Sequence, residues 1–170
     1  MLPRPAPSEY SSYQANYISL VPDGDILETL RSEFATTLAL LNTISEETSL
    51  YRYAPGKWSI RETILHVSDS ERIFAYRALR LSRGDETPLP GFEQDAYVET
   101  SAADARSWQS ILAEFAAVRQ SSIELFRNFP PEAWTRSGLA SGYYITVLAL
   151  AYLIPGHELH HRRILRERYL

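Results

Sequence analysis

The sequence contains no cysteine among its 170 residues. Disulfides, thiolate metal ligands and a cysteine nucleophile are therefore excluded. Long apolar runs are also missing, because the longest one, residues 143–154, has about a dozen residues and a membrane-spanning helix needs about 20. We expect no membrane partner, and the lack of a signal-peptide pattern in the first residues predicts a cytoplasmic protein.

An excess of positive charge is absent as well. The chain has 17 basic and 21 acidic residues, and its formal net charge is −4. This balance provides no general attraction to the phosphate backbone of nucleic acids. Nucleic acid is accordingly not an expected partner.

The length suits one domain, which we predict to span residues 1–170. Residues 1–22 contain four prolines and are expected to form an irregular arm that packs through its tyrosines, and 23–170 are expected to be helical. Hydrophobic periodicity and capping signals predict four helices, at about 25–43, from Ser59 to just before Gly84, about 104–128 and about 145–168.

The predicted second and third helices are separated by a long connection, roughly residues 83–103. Connections of this length are often functional or cover a site. No segment alternates with the period of a β-strand. The predicted fold class is all-α, a four-helix bundle with a long connection between helices 2 and 3.

Histidines are few but clustered, since three of the four lie at His157, His160 and His161. His157 and His161 continue the apolar stripe of the fourth helix and, at a spacing of four, project from one face. They could be ordinary core or surface histidines, but two buried neutral imidazoles need partners, and one metal ion satisfies both. His160 lies on the neighbouring face and is the weaker candidate for the second ligand.

A three-histidine site must also use His66, the only other histidine, on the predicted second helix. Three imidazoles leave coordination positions open for water or substrate, as in catalytic metal sites. Zinc or nickel suits such ligands, and iron, copper and manganese are further possibilities.

Residues 157–161 also match the H-E-x-x-H pattern of zinc metalloproteases, in which Glu158 would be the general base. A five-residue pattern recurs by chance, and no strand pattern supports a protease. Glu158 and Asp69 could instead orient an imidazole by hydrogen bonding. The commoner role of such residues is a solvated position on a helix.

The sequence resembles the DinB/YfiT-like family of metal-binding four-helix bundles. The resemblance rests on residues 58–71 (WSIRETILHVSDSE), 89–97 (LPGFEQDAY) and 156–162 (GHELHHR), in this order and spacing. It implies His66, His157 and His161 as ligands of a nickel- or zinc-type ion, and often a homodimer. Some family members resemble thiol S-transferases that use bacillithiol, mycothiol or glutathione, and related proteins isomerise maleylpyruvate.

The resemblance favours a metal-dependent thiol S-transferase acting on small electrophiles. The metal would hold an external low-molecular-weight thiol as the reactive thiolate. Two alternatives are a metal-dependent hydrolase that uses water and a non-catalytic, stress-related dimeric module. A requirement for a thiol would separate the transferase from the hydrolase. A filled coordination shell would favour the non-catalytic module.

Overall fold

Four long helices form the framework of the computed structural model, which describes residues 2–170. The prediction of an all-α fold built on four long helices is confirmed, with a small hairpin added. The helices are α1 (Ser12–Ile18), α2 (Ile26–Leu41), α3 (Ile60–Ser82), α4 (Gln94–Thr100), α5 (Trp108–Arg127) and α6 (Val147–Ile164), and the strands are β1 (Ser137–Ala140) and β2 (Tyr143–Thr146).

The long helices begin where a side chain caps the first free backbone N–H groups. Asp25 accepts hydrogen bonds at the start of α2, and Ser59 forms a capping box with Glu62 at the start of α3. Ser107 caps α5, so that helix begins four residues later than the expected position near 104. Thr146 caps α6 through the N–H of Ala149.

The predicted start of the fourth helix near residue 145 is wrong. Ile145 belongs to β2, which pairs antiparallel with β1 in the register Ser137↔Thr146 to Ala140↔Tyr143. Each strand has only four residues, too few for a recognisable alternation. The two-residue turn between them has positive φ at both positions, as a tight hairpin requires.

The expectation of an irregular arm is also wrong in part, because the arm contains α1, which packs against α6. Ser11 and Gln14 form its capping box. A Cβ at Gly156 would lie 2.4 Å from the carbonyl oxygen of Tyr17, so only glycine permits this approach of α1 to α6.

α6 is the central helix, and every residue from Val147 to Glu158 is buried. It packs against α1, α2 and α3, and α3 also packs against α5. Within residues 2–170, none of the helices combines the length and apolar character needed to cross a bilayer. The single domain and the homodimer stay predictions.

Candidate metal centre

Three imidazoles from two helices meet inside the bundle. His66 projects from α3, and His157 and His161 project from α6. The Nε2 atom of His157 lies 3.2 Å from Nε2 of His66 and 3.1 Å from Nε2 of His161. One ligand atom from each of the three residues lies within 4.8 Å of the other two. The structure thus brings together the three predicted ligands.

Hydrogen bonding alone does not explain this convergence. A neutral imidazole nitrogen carries either one proton or one lone pair in the ring plane. Nε2 of His157 can therefore make one good hydrogen bond, yet it contacts two other ring nitrogens. In a tetrahedral site with zinc–nitrogen distances of about 2.0–2.1 Å, ligand nitrogens lie about 3.4 Å apart. The two separations at His157 are within a few tenths of an ångström of this value, and the third ligand pair lies within 4.8 Å, so the donor set is compatible with one divalent cation.

Burial keeps these imidazoles neutral, which is the form that binds metals. It lowers the pKa of His66 to about 4, against a smaller opposing effect of the Asp95 carboxylate. Burial also lowers the pKa values of His157 and His161 well below 6.5, and the neighbouring imidazoles add to both shifts. All three rings are therefore neutral at neutral pH.

His160 stands outside the group of converging nitrogens. Its ring packs edge-on against Tyr17, with centroids 5.2 Å apart, and against His161, at 5.1 Å. Among the histidines of residues 2–170, only the other three bring ligand atoms together. The structure therefore favours His161 over His160 as the second residue contributed by α6.

Glu158 is neither solvated nor hydrogen-bonded to an imidazole. Its carboxylate lies 2.7 Å from the guanidinium of Arg119, which also forms two 2.9 Å hydrogen bonds with Glu71. All three side chains are buried. This ion pair engages the carboxylate that the protease interpretation would use as a base.

Asp69, the other suggested orienting residue, forms an ion pair with Arg72 at 3.2 Å. No hydrogen bond joins it to an imidazole among the described residues 2–170. Its carboxylate is partly exposed, and burial raises its pKa despite the opposing charge of Arg72.

Two cavities flank the histidine cluster. One, of about 590 Å³, is lined by His157, and the other, of about 480 Å³, is lined by His161. Volumes of this order suit small organic ligands. Asp95 lines both cavities. Asp95 lies in segment 89–97, which carries part of the family resemblance, but the sequence alone indicated no role for it.

Aromatic rings pack against two of the three imidazoles. Trp58 packs against His66 with centroids 4.8 Å apart, and Phe74 and Tyr17 contact His157 at 5.8 and 5.4 Å. Sequence reasoning missed the Tyr17 contact, since the arm offered no periodic pattern. It also missed Arg119 on α5, the third predicted helix, although an arginine beside the apolar stripe of that helix was a visible signal.

Comparison with known proteins identifies relatives of this architecture. A family model described as the DinB superfamily matches residues 29–165. A protein of Oceanobacillus iheyensis, named "Putative metal-dependent hydrolase OB0413", is 31% identical over 72 residues, which are 42% of this chain and 39% of that protein. The chain therefore spans about two fifths of this relative's length.

Two solved structures share the fold. YfiT from Bacillus subtilis, described as a probable metal-dependent hydrolase with an unusual four-helix bundle topology, superposes with a TM-score of 0.71. It is 19% identical, and the match covers 98% of this chain and 90% of that chain. A mycothiol-dependent maleylpyruvate isomerase superposes with a TM-score of 0.67 and 11% identity, over 92% of this chain and 60% of that one. At these identities the likeness shows the fold alone.

Proposed function

Because the chain belongs to the DinB superfamily, we propose that it is a metal-dependent hydrolase of a small substrate, with His66, His157 and His161 as ligands of one divalent ion. The observation that carries the proposal is the convergence of three neutral imidazoles beside a cavity of ligand size. The names of the relatives from Oceanobacillus iheyensis and Bacillus subtilis support hydrolysis.

A divalent ion held by these three residues would act as a Lewis acid, which would polarise the substrate and lower the pKa of a water molecule. With His66, His157 and His161 as its protein ligands, the ion would keep coordination positions for these groups. The aromatic rings of Trp58, Phe74 and Tyr17 keep the surroundings apolar, which strengthens electrostatic effects at the centre.

We assign the proton-accepting role to Asp95 rather than Glu158. The carboxylate of Glu158 is paired with the buried Arg119, whereas Asp95 lines both cavities beside the imidazoles. The Asp95 carboxylate also acts electrostatically on His66, where it opposes the lowering of the pKa by burial. In this role its carboxylate would accept a proton from the attacking water.

Thiol transfer is the second candidate, favoured by the likeness of fold to the mycothiol-dependent isomerase. The same three ligands could hold an external thiol as thiolate, since the chain has no thiol of its own. In that case an electrophile in the larger cavity would be the acceptor.

An activity screen on the full chain separates these candidates. The protein is stripped with chelator, reloaded with zinc, nickel or manganese, and assayed with aryl esters and anilides, with and without glutathione. Turnover that needs metal but no thiol supports the hydrolase, and consumption of thiol with an electrophile supports the transferase. Absence of both, in protein that elemental analysis shows to be loaded, would favour the non-catalytic module.

Asp95→Asn tests the assigned base, with Glu93→Gln as its matched control at the same cavity. The Asp95 variant should keep its metal and lose at least about tenfold in kcat, because general-base catalysis contributes on the order of 10²–10⁴-fold. Equal losses in the two variants would contradict the assignment.

A further inference from the structure

One buried arginine has no counterion among the described residues 2–170. Of the arginines buried within residues 2–170, Arg61 pairs with Glu46, and Arg119 pairs with two carboxylates. Arg77 is only 4% exposed, yet no carboxylate of the described chain lies within 4.0 Å of it. A buried charge without a partner is costly, and burial lowers the pKa of Arg77. Binding of an anion beside the guanidinium would reduce this cost.

The protein satisfies only part of the guanidinium. Nη2 of Arg77 donates to the carbonyl oxygen of Pro90 at 2.7 Å and to Oγ of Ser141 at 2.8 Å. The N–H groups on Nε and Nη1 donate to no acceptor within residues 2–170. Ser141 has a φ of 53°, a conformation that non-glycine residues rarely adopt. The loops therefore hold one side of the guanidinium and leave the other side available.

Arg77 lines the larger cavity, the one that also contacts His157. Arg77 follows His66 by eleven residues on α3, which is three helical turns plus about 20°. Ser70 and Phe74 lie on the same arc of the helix and line the same cavity. One wall therefore runs about 16 Å along α3, from the histidine cluster to the arginine.

A second observation also indicates a ligand in this cavity. Oγ of Ser70 is buried and has no hydrogen-bond partner within the described chain. A buried hydroxyl group normally forms a hydrogen bond, and a ligand in the cavity would provide the missing partner. The same cavity is also lined by the aromatic side chains of Phe74, Tyr17 and Phe92.

We propose that Arg77 binds the carboxylate of a small, largely apolar molecule whose other end reaches the histidine centre. A single cationic side chain neutralises a monoanion, whereas phosphate groups are usually held by several cations or backbone N–H groups. Glu93 and Asp95 also line the cavity, but both are exposed to solvent, which screens their charges.

This inference rests on the proposed function for the reaction at the far end, but the recognition of the anion does not need the metal. Isothermal titration calorimetry of metal-free and zinc-loaded protein would compare 4-phenylbutyrate with its neutral isostere, 4-phenylbutyramide. The carboxylate should bind about 10- to 100-fold more tightly, which is the usual range for a hydrogen bond to a charged group.

Arg77→Met should remove this preference and leave amide binding unchanged. Arg83→Met is the matched control, because Arg83 is an exposed arginine at the end of the same helix and does not line the cavity. Circular dichroism and metal content would show that both variants fold. Should Arg77→Met fail to fold, the Nε–H NMR signal of Arg77 in the wild type provides the readout, and it should shift with 4-phenylbutyrate and not with the amide.

The inference is overturned by an absence of saturable carboxylate binding at millimolar concentration, by equal binding of the two probes, or by a preference that survives in Arg77→Met. Carboxylate binding through Arg77 without any turnover would refute the proposed function alone. Turnover of neutral and anionic esters at equal kcat/KM would refute only the assignment of Arg77. The same titrations with glutathione, which carries carboxylates as well as a thiol, would show whether the carboxylate bound by Arg77 belongs to a thiol cofactor or to the substrate.

Discussion

Replacing His161 by alanine tests the metal centre most directly, with the adjacent His160→Ala as the matched control. Nε2 of His161 lies 3.1 Å from Nε2 of His157, whereas the ring of His160 packs outside the cluster. Structural zinc sites with about four protein ligands have binding free energies of about 10–16 kcal/mol, or about 3 kcal/mol per ligand. Loss of one ligand should therefore raise Kd on the order of 100-fold.

The thermal stability of the protein reports this change. At a free metal concentration of about 100 times the wild-type Kd, binding adds about 2.7 kcal/mol to the free energy of unfolding. For a domain of this size that corresponds to a rise in Tm of about 5–10 °C. In His161→Ala the same concentration only matches the new Kd, so the gain falls to about 0.4 kcal/mol and Tm rises by about 1–2 °C.

The assay compares Tm with and without metal in each variant, so any effect of the substitution on the metal-free protein cancels. Elemental analysis of the purified proteins gives an independent measure. His160→Ala should keep most of the wild-type rise in Tm. An equal rise, and equal metal content, in wild type and His161→Ala would refute the assignment of the ligands.

Three further predictions concern stability. Arg119→Met should lower the free energy of unfolding by about 3–5 kcal/mol in urea titrations, because two buried carboxylates lose their cation. Gly156→Ala should cost about 1–3 kcal/mol and increase hydrogen exchange in α1, since the added Cβ displaces the backbone of Tyr17. Metal-free protein should lose stability as pH falls from about 6.5 towards 4, because the unfolded chain binds a proton at His66 before the folded chain does.

Each of these predictions has a contradicting outcome. A methionine variant of Arg119 as stable as wild type would show that the ion pairs are replaceable by apolar contacts. Unchanged exchange in α1 of Gly156→Ala would mean that α1 does not depend on this close approach. Constant stability of the metal-free protein between pH 6.5 and 4 would show that the His66 ring is not desolvated.

Periodic and capping patterns along the sequence were sufficient for the helical framework. Ser59 with Glu62 predicted the start of α3, and the apolar stripe of the last helix continued into His157 and His161. These are local signals, since a cap or a helical face depends on residues within one or two turns. The short strands and the arm helix α1 were missed, because their few residues carry too little periodic information.

Which side chains meet across helices was decided only by the tertiary structure. Sequence spacing placed two imidazoles on one face of α6, but the 3.2 Å approach of His66 depends on how α3 packs against α6. The same packing paired Glu158 with Arg119 and left Arg77 facing a cavity, with no counterion from the described part of the chain. The sequence by itself therefore determined the four long helices and the candidate ligands, because local interactions set them. Burial and long-range packing decided the partner of each charged group, since these depend on residues far apart in the chain.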